Sequence, residues 1–184
     1  MRRFLVALGA VALLVPAAGP SFANVSNNGL ARMRIEGSVN APLGYQLFCL
    51  TNPRHCRGGG ASEVSFTDQV GEVLQRVNTS VNRAIQPRSE RRDVWSIGVS
   101  QGDCEDYALA KRVELIRLGI PAGALRIAMA KTGGGEGHAV LVVRTDAGDL
   151  VLDNLTSRIK NWDQTGLRWV AIASSNAKAW QQIR

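Results

Sequence analysis

The chain has 184 residues, 22 Lys and Arg against 15 Asp and Glu, a formal charge of +7, and only 2 His and 3 Cys. That length suits one domain. The positive charge is mild and its arginines are scattered, with no basic run interleaved with aromatics, which argues against nucleic-acid binding.

The first 23 residues read as a secretory signal peptide. Arg2 and Arg3 form a basic start, Phe4 to Val15 an apolar stretch, and Ser21-Phe22-Ala23 a small-residue cleavage site, with the cut after Ala23. The apolar stretch is too short to span a bilayer comfortably. A retained N-terminal anchor is the alternative. Cleavage would remove Arg2 and Arg3, lower the formal charge from +7 to about +5, and leave 24–184 as the working domain.

Residues 24–62 show little periodicity and are rich in Gly, Asn and Pro, which predicts an irregular lead-in with one short strand near Tyr45 to Leu50. Cys49 and Cys56 enclose Leu-Thr-Asn-Pro-Arg-His. In an exported chain that spacing predicts a local disulfide. So small a ring contributes about 2–3 kcal/mol. A metal site including His55 is the alternative, although the spacing is poor for zinc. Cys104 is left over, either as an intermolecular link or as a reactive thiol.

A helix is predicted over 66–86, where Phe66, Val70, Val73, Leu74, Val77, Val81 and Ile85 make one apolar stripe. Thr67 or Ser65 can cap it, and Pro87 follows it. An Arg-rich loop leads to Val94-Trp95-Ser96-Ile97. Trp95 is either a wall of the active-site cleft or a core aromatic. A second helix opens at Asp103 and runs to Leu118, with a wide apolar face and Gly119 as its C-terminal stop. Strands follow at 125–130, 138–144, 149–154 and 167–173, with Asp146-Ala147-Gly148 as a turn. Ser174 to Ile183 reads as a short terminal helix. One α+β domain results.

The chemistry concentrates in Gln101-Gly102-Asp103-Cys104-Glu105-Asp106. Cys104 falls in the first turn of a helix, where free N–H groups and the helix dipole favour a thiolate. The flanking carboxylates oppose it. A thiol nucleophile needs a base and a group to orient that base. If 145–148 is a four-residue turn that pairs Arg144 with Asp149, then His138 lies opposite Leu155. Asp153 is then its diagonal neighbour on the same face, about 7–8 Å away at Cα and within side-chain reach. An odd loop length would turn one side chain away. Singly, Cys104 could be an inert thiol, His138 structural and Asp153 a turn former. As a set they form a thiol-enzyme arrangement. Gly133 to Gly137 lacks the helix and Gly-Lys-Ser/Thr of a phosphate loop and reads as a lip of the cleft.

Gly102-Asp103-Cys104-Glu105-Asp106-Tyr107-Ala108, Gly137-His138-Ala139-Val140-Leu141 and Leu152-Asp153-Asn154 resemble the bacterial transglutaminase-like cysteine peptidases, the periplasmic family that includes the LapG adhesin proteases. The likeness covers roughly Tyr45 to Ala173. It implies a papain-like, transglutaminase-type α+β core in which a central Cys-bearing helix packs on an antiparallel β-sheet. It implies Cys104 as nucleophile, His138 as general base and acid, Asp153 as its orienter, and endopeptidase cleavage through an acyl-enzyme. It further implies a periplasmic location, a large surface adhesin as substrate with biofilm dispersal as the result, and an inner-membrane cyclic di-GMP receptor as partner. Calcium is the cofactor implied, held by Asp103 and Glu105 with Asp106 as a third ligand; carboxylate oxygens are suitable donors for that ion. Without the resemblance, these three acids read as a cap and dipole partners. The backbone N–H of Cys104 is the first candidate for the oxyanion hole, with Gln101 or Trp95 as helpers. The same triad would serve an acyltransferase or transglutaminase, and a non-catalytic binding module of the same fold is the rival from another class.

Overall fold

The computed structural model describes residues 32–89 and 93–184. The predicted signal peptide lies outside the described residues.

A seven-stranded antiparallel sheet carries the fold. Its strands are β1 (Ile35–Val39), β4 (Leu125–Lys131), β5 (Gly137–Thr145), β6 (Gly148–Leu152), β7 (Lys160–Asn161), β8 (Arg168–Ala173) and β9 (Trp180–Ile183), in the order β1-β9-β8-β4-β5-β6-β7. Two short strands, β2 (Gln86–Pro87) and β3 (Gln101–Gly102), pair in parallel apart from it. Three α-helices, α1 (Leu43–Thr51), α2 (Asp68–Ala84) and α3 (Cys104–Arg117), complete the domain.

Strand β5 is central and almost wholly buried, which is why its sequence is a continuous apolar run rather than an alternating one. Leu141 and Val143 join the larger core with Leu109 and Leu115 of α3 and Leu74 and Val77 of α2. Val140 and Val142 join a second cluster with Met33, Val151 and Ile172, against which Trp162 and Trp169 pack. The sheet is therefore covered on both faces, and α3 lies between the sheet and α2.

Helix α2 begins where Thr67 Oγ1 accepts the Val70 N–H at 3.3 Å, a cap worth about 1 kcal/mol. The β5–β6 turn pairs Arg144 with Asp149 and Thr145 with Gly148, as the proposed turn requires. The Cys49–Cys56 disulfide forms, with Cα atoms 5.5 Å apart. The loop it closes is tied to α3 by Arg112, which donates to the carbonyls of His55 (2.7 Å) and Arg57 (2.9 Å). Gly58, two residues beyond Cys56, passes so near the Ser175 carbonyl that a Cβ would lie 1.9 Å from it.

Two expectations are corrected. Residues 43–51 are a helix, not a strand near Tyr45 to Leu50. Tyr45 and Phe48, three apart, face the core, while Leu43, Leu47 and Leu50 stay exposed; apolar residues on both faces masked the helical period. The terminal segment ends in β9, not in a helix. Asn176 Oδ1 accepts the N–H groups of Lys178 and Ala179, both at 2.9 Å. That Asx-type turn sends Trp180 to Ile183 back between β8 and β1. The partner for β9 on one side is β1, which falls in the stretch expected to be irregular.

Candidate active site

Cys104 begins α3, and the backbone of Asp103 is its N-cap. The Asp103 side chain makes no capping hydrogen bond, contrary to the simplest reading of that position. Gly102 is forced by Asp106, whose Oδ2 would lie 2.1 Å from any Cβ there. Asp106 is buried, and its Oδ1 accepts the Ser96 N–H at 2.7 Å. It fastens the segment before β3 to the first turn of α3, so Cys104 stands on a turn braced from below.

The thiol is half-buried. Its Sγ donates to Glu105 Oε2 at 3.0 Å. Burial pushes the Cys104 thiol far up from its ordinary range. The hydrogen bond to Glu105, the charge of Glu105 and the charge of Asp103 push the same way, and the Ala139 N–H at the sulfur opposes them. In this arrangement the hydrogen bond and the charges of the carboxylates add to burial in favouring the protonated thiol.

That Ala139 contact brings Cys104 to the residue next to His138. His138 is 3 % exposed and Asp153 8 %. His138 Nε2 and Asp153 Oδ1 are 2.8 Å apart. Burial would push the Asp153 carboxyl up. The His138 hydrogen bond, the Leu155 N–H and the charges of His138 and Lys111 outweigh burial and hold it below the ordinary carboxylate range. An ionised Asp153 only accepts, so Nε2–H donates to it and Nδ1 is left for a proton from elsewhere. Among the described residues no hydrogen bond joins Cys104 to His138; the thiol turns to Glu105.

The helper residues separate. Trp95 is 5 % exposed, packs edge-on to Tyr45 at 5.2 Å and donates its indole N–H to Asp93 Oδ1 at 2.6 Å. It is a core aromatic whose N–H is already engaged, so it offers no oxyanion donor. Gln101 is exposed on β3, and among the described residues its side chain has no hydrogen-bond partner. The lip at 133–136 is a closed turn in which Thr132 Oγ1 donates to Glu136 Oε2 at 2.6 Å.

The calcium candidates have suitable donor chemistry, three carboxylates on one turn. They are not gathered: Glu105 bonds the sulfur and Asp106 bonds Ser96. Among the described residues no three His, Cys, Asp or Glu side chains meet as a metal cluster.

Two contributors were missed from the sequence. Asn82 of α2 donates to the Asp153 carbonyl at 2.9 Å and to that of Thr156 at 3.3 Å, fixing the segment that presents Asp153. Lys111 of α3 is fully buried and acts electrostatically on Asp153. A lysine within an otherwise apolar helix face, seven residues beyond Cys104, was the available signal.

No curated protein resembles the chain closely enough to count as a match. Among solved structures, calcium-bound LapG of Legionella pneumophila is similar over 61 % of this chain and 68 % of its own, at 28 % identity and a TM-score of 0.56. An EGTA-treated LapG of the same organism is similar over 62 % and 68 %, at 27 % identity and a TM-score of 0.56. These likenesses agree with the observed α+β fold of helices packed on a large antiparallel sheet. The sequence profile of the bacterial transglutaminase-like cysteine proteinases matches residues 35–184, a span that holds both the sheet and the Cys104–His138–Asp153 region, and the chain belongs to that family.

Proposed function

We propose that this member of the family is an exported, calcium-dependent cysteine endopeptidase that cuts a bacterial surface protein through an acyl-enzyme. The observation that supports it most is the buried 2.8 Å contact between His138 and Asp153, set beside a cysteine that opens a helix. In this reading Cys104 first leaves Glu105 and passes its proton to His138 Nδ1, while Asp153 stabilises the imidazolium. The sulfur then attacks the scissile carbonyl, and the Cys104 backbone N–H, aided by Gln101, supports the oxyanion. His138 gives its proton to the departing amine as the C–N bond breaks. A water deprotonated by His138 next cleaves the thioester, and the sulfur leaves as the thiol. Cys104→Ala tests this directly in a cleavage assay on the host's large surface proteins; unchanged cleavage sinks it.

Calcium would be held by Asp103, Glu105 and Asp106, and when bound it would supply positive charge beside the thiol. Glu105 would have to give up its bond to sulfur. Chelation should lower wild-type activity, and an indifferent enzyme would remove the metal from the proposal. The signal-peptide pattern and the family resemblance support a periplasmic site of action, an adhesin substrate whose release disperses biofilm, and control by an inner-membrane cyclic di-GMP receptor. Amino-terminal sequencing of the periplasmic form should begin at Asn24.

A further inference from the structure

Strand β4 is an inner strand, paired with β5 on one side and β8 on the other. From Leu125 to Ala130 it is buried with one exception, Met129, which is partly exposed. A methionine in the middle of a sheet stays open only where nothing packs above it. The gap there is a cavity of about 510 Å³, within the range of about 300–1,000 Å³ common to ligand pockets. Met129 of β4, Ala171 of β8 and Gln182 of β9 line it, with Val39 and Pro42 on the run into α1. Met129 pairs with Ala171 and Ala171 with Gln182, so the three side chains share one face of the sheet. That face bears α3, since Met129 and Ala171 belong to the same cluster as Leu109 and Leu115. Val170, skipped by the β4–β8 pairing and 45 % exposed, adds an apolar rim.

The row continues into the site. Met129 pairs with Ala139, and its neighbour Ala130 pairs with His138. Adjacent strands are about 4.8 Å apart, which puts Ala171 about 10 Å from Ala139, the residue next to His138. Cys104 comes to the same end of the sheet. The short connection 118–124 joins α3 to β4, so β4 starts beside the C-terminal end of α3 and runs back toward its beginning. Arg112 ties the two there by donating to the Leu125 carbonyl at 3.2 Å. From that tie Cys104 is about 12 Å back along the helix, and Met129 is about 13 Å along the strand. The two therefore lie level with one another, and the Ala139 N–H at the sulfur agrees with that placement.

We infer that this cavity is a substrate subsite: it holds a large apolar side chain two or three residues from the scissile bond, with Met129 as the specificity-determining residue. The inference rests on the reading of Cys104 and His138 as nucleophile and base. An extended chain advances about 3.3 Å per residue, so a reach of about 10 Å from the reacting carbonyl spans about three residues. The lining selects the side chain. Among the described residues it holds no charged group, so a charged guest would lose its hydration without a partner. The unbranched thioether of Met129 adapts its shape to an apolar guest. A docked substrate chain would also cover Met129 and Val170, which the fold leaves open.

The test profiles the full chain, with calcium supplied, against a peptide library made by digesting a bacterial lysate, the cut sites being read by mass spectrometry. The wild type should favour leucine, methionine or phenylalanine at one position two or three residues from the cut. A peptide with that residue and its alanine counterpart then give a ratio of kcat/KM values. Met129→Ala and Val170→Glu should each lower that ratio by about 10-fold. Both peptides meet the same folded enzyme, so a variant that folds poorly leaves the ratio where it was. No preferred position, or a ratio that both variants leave unchanged, overturns the proposal while the protease reading stands. A library left uncut is instead a failure of the protease reading, and NMR of isotope-labelled methionine methyls then decides the cavity. The Met129 methyl should shift with N-acetyl-phenylalanine amide and not with N-acetyl-alanine amide, while Met33, buried in the other cluster, stays in place. A Met129 methyl that does not move, or that moves with protein concentration alone as a second copy docks, overturns the proposal.

Discussion

The two ends of the β5–β6 hairpin each hold an aspartate against a base. At the turn, Arg144 donates Nε to Asp149 Oδ1 at 2.8 Å and a second nitrogen to Oδ2 at 3.0 Å, and Asp149 also accepts the Met33 N–H at 2.8 Å. At the open end, Asp153 Oδ1 meets His138 Nε2 at 2.8 Å and accepts the Leu155 N–H at 3.0 Å. Both carboxylates are buried. Arg144 and Asp149 are direct cross-strand partners, whereas His138 and Asp153 meet beyond the last paired residues, Leu141 and Leu152. The decisive difference is the base. A guanidinium keeps its proton at any ordinary pH, so the turn end is a clamp. An imidazole exchanges its proton near neutrality, so the same construction at the open end can relay one.

Removing the proposed nucleophile should have the largest effect. Cys104→Ala should lower cleavage by about 10³-fold or more, with the circular dichroism and melting temperature kept. Asp153→Asn should come next, lowering kcat by about 10²–10⁴ through the wrong imidazole tautomer. The matching change at the turn, Asp149→Ala, should do the reverse. Loss of one partner from a buried pair costs about 3–5 kcal/mol, so the urea midpoint should fall while the folded fraction keeps its kcat. If Asp149→Ala were to impair kcat as Asp153→Asn does, the distinction between clamp and relay would fail.

Acid gives a gentler test of the open end. Asp153 sits below its ordinary range when folded, so its contribution to stability is present above about pH 4, the unfolded value, and is lost as pH falls through the folded value. Asp153→Asn should therefore show a shallower fall of stability below pH 4 than the wild type in a series of urea melts. The smallest effect belongs far from the hairpin: Thr67→Ala should cost about 1 kcal/mol by removing the α2 cap, with no change in activity.

The candidate site was more legible in the sequence than the periphery was. The Arg144–Asp149 register followed from a turn and a period of two, and it carried His138 and Asp153 to one place. Short-range rules suffice there because β5 and β6 are consecutive and their loop is short. The flanks were misread because distant partners decide them. Residues 43–51 are helical because Tyr45 and Phe48 find the core while the leucines beside them remain exposed. Residues 180–183 are a strand because β8 and β1 each leave an edge to be paired.

The sequence by itself singled out Cys104, His138 and Asp153 as a set, and it determined the disulfide and the helix that opens at Cys104, since each depends on nearby residues or on residue chemistry alone. Only the tertiary structure decided that Asp106 braces Ser96 and Gly102, that Trp95 belongs to the core, that Glu105 holds the thiol proton, and that Lys111 lies buried within reach of the Asp153 charge. Those outcomes depend on what is excluded from water and what then remains within hydrogen-bonding or Coulombic distance, and a linear pattern does not encode either one.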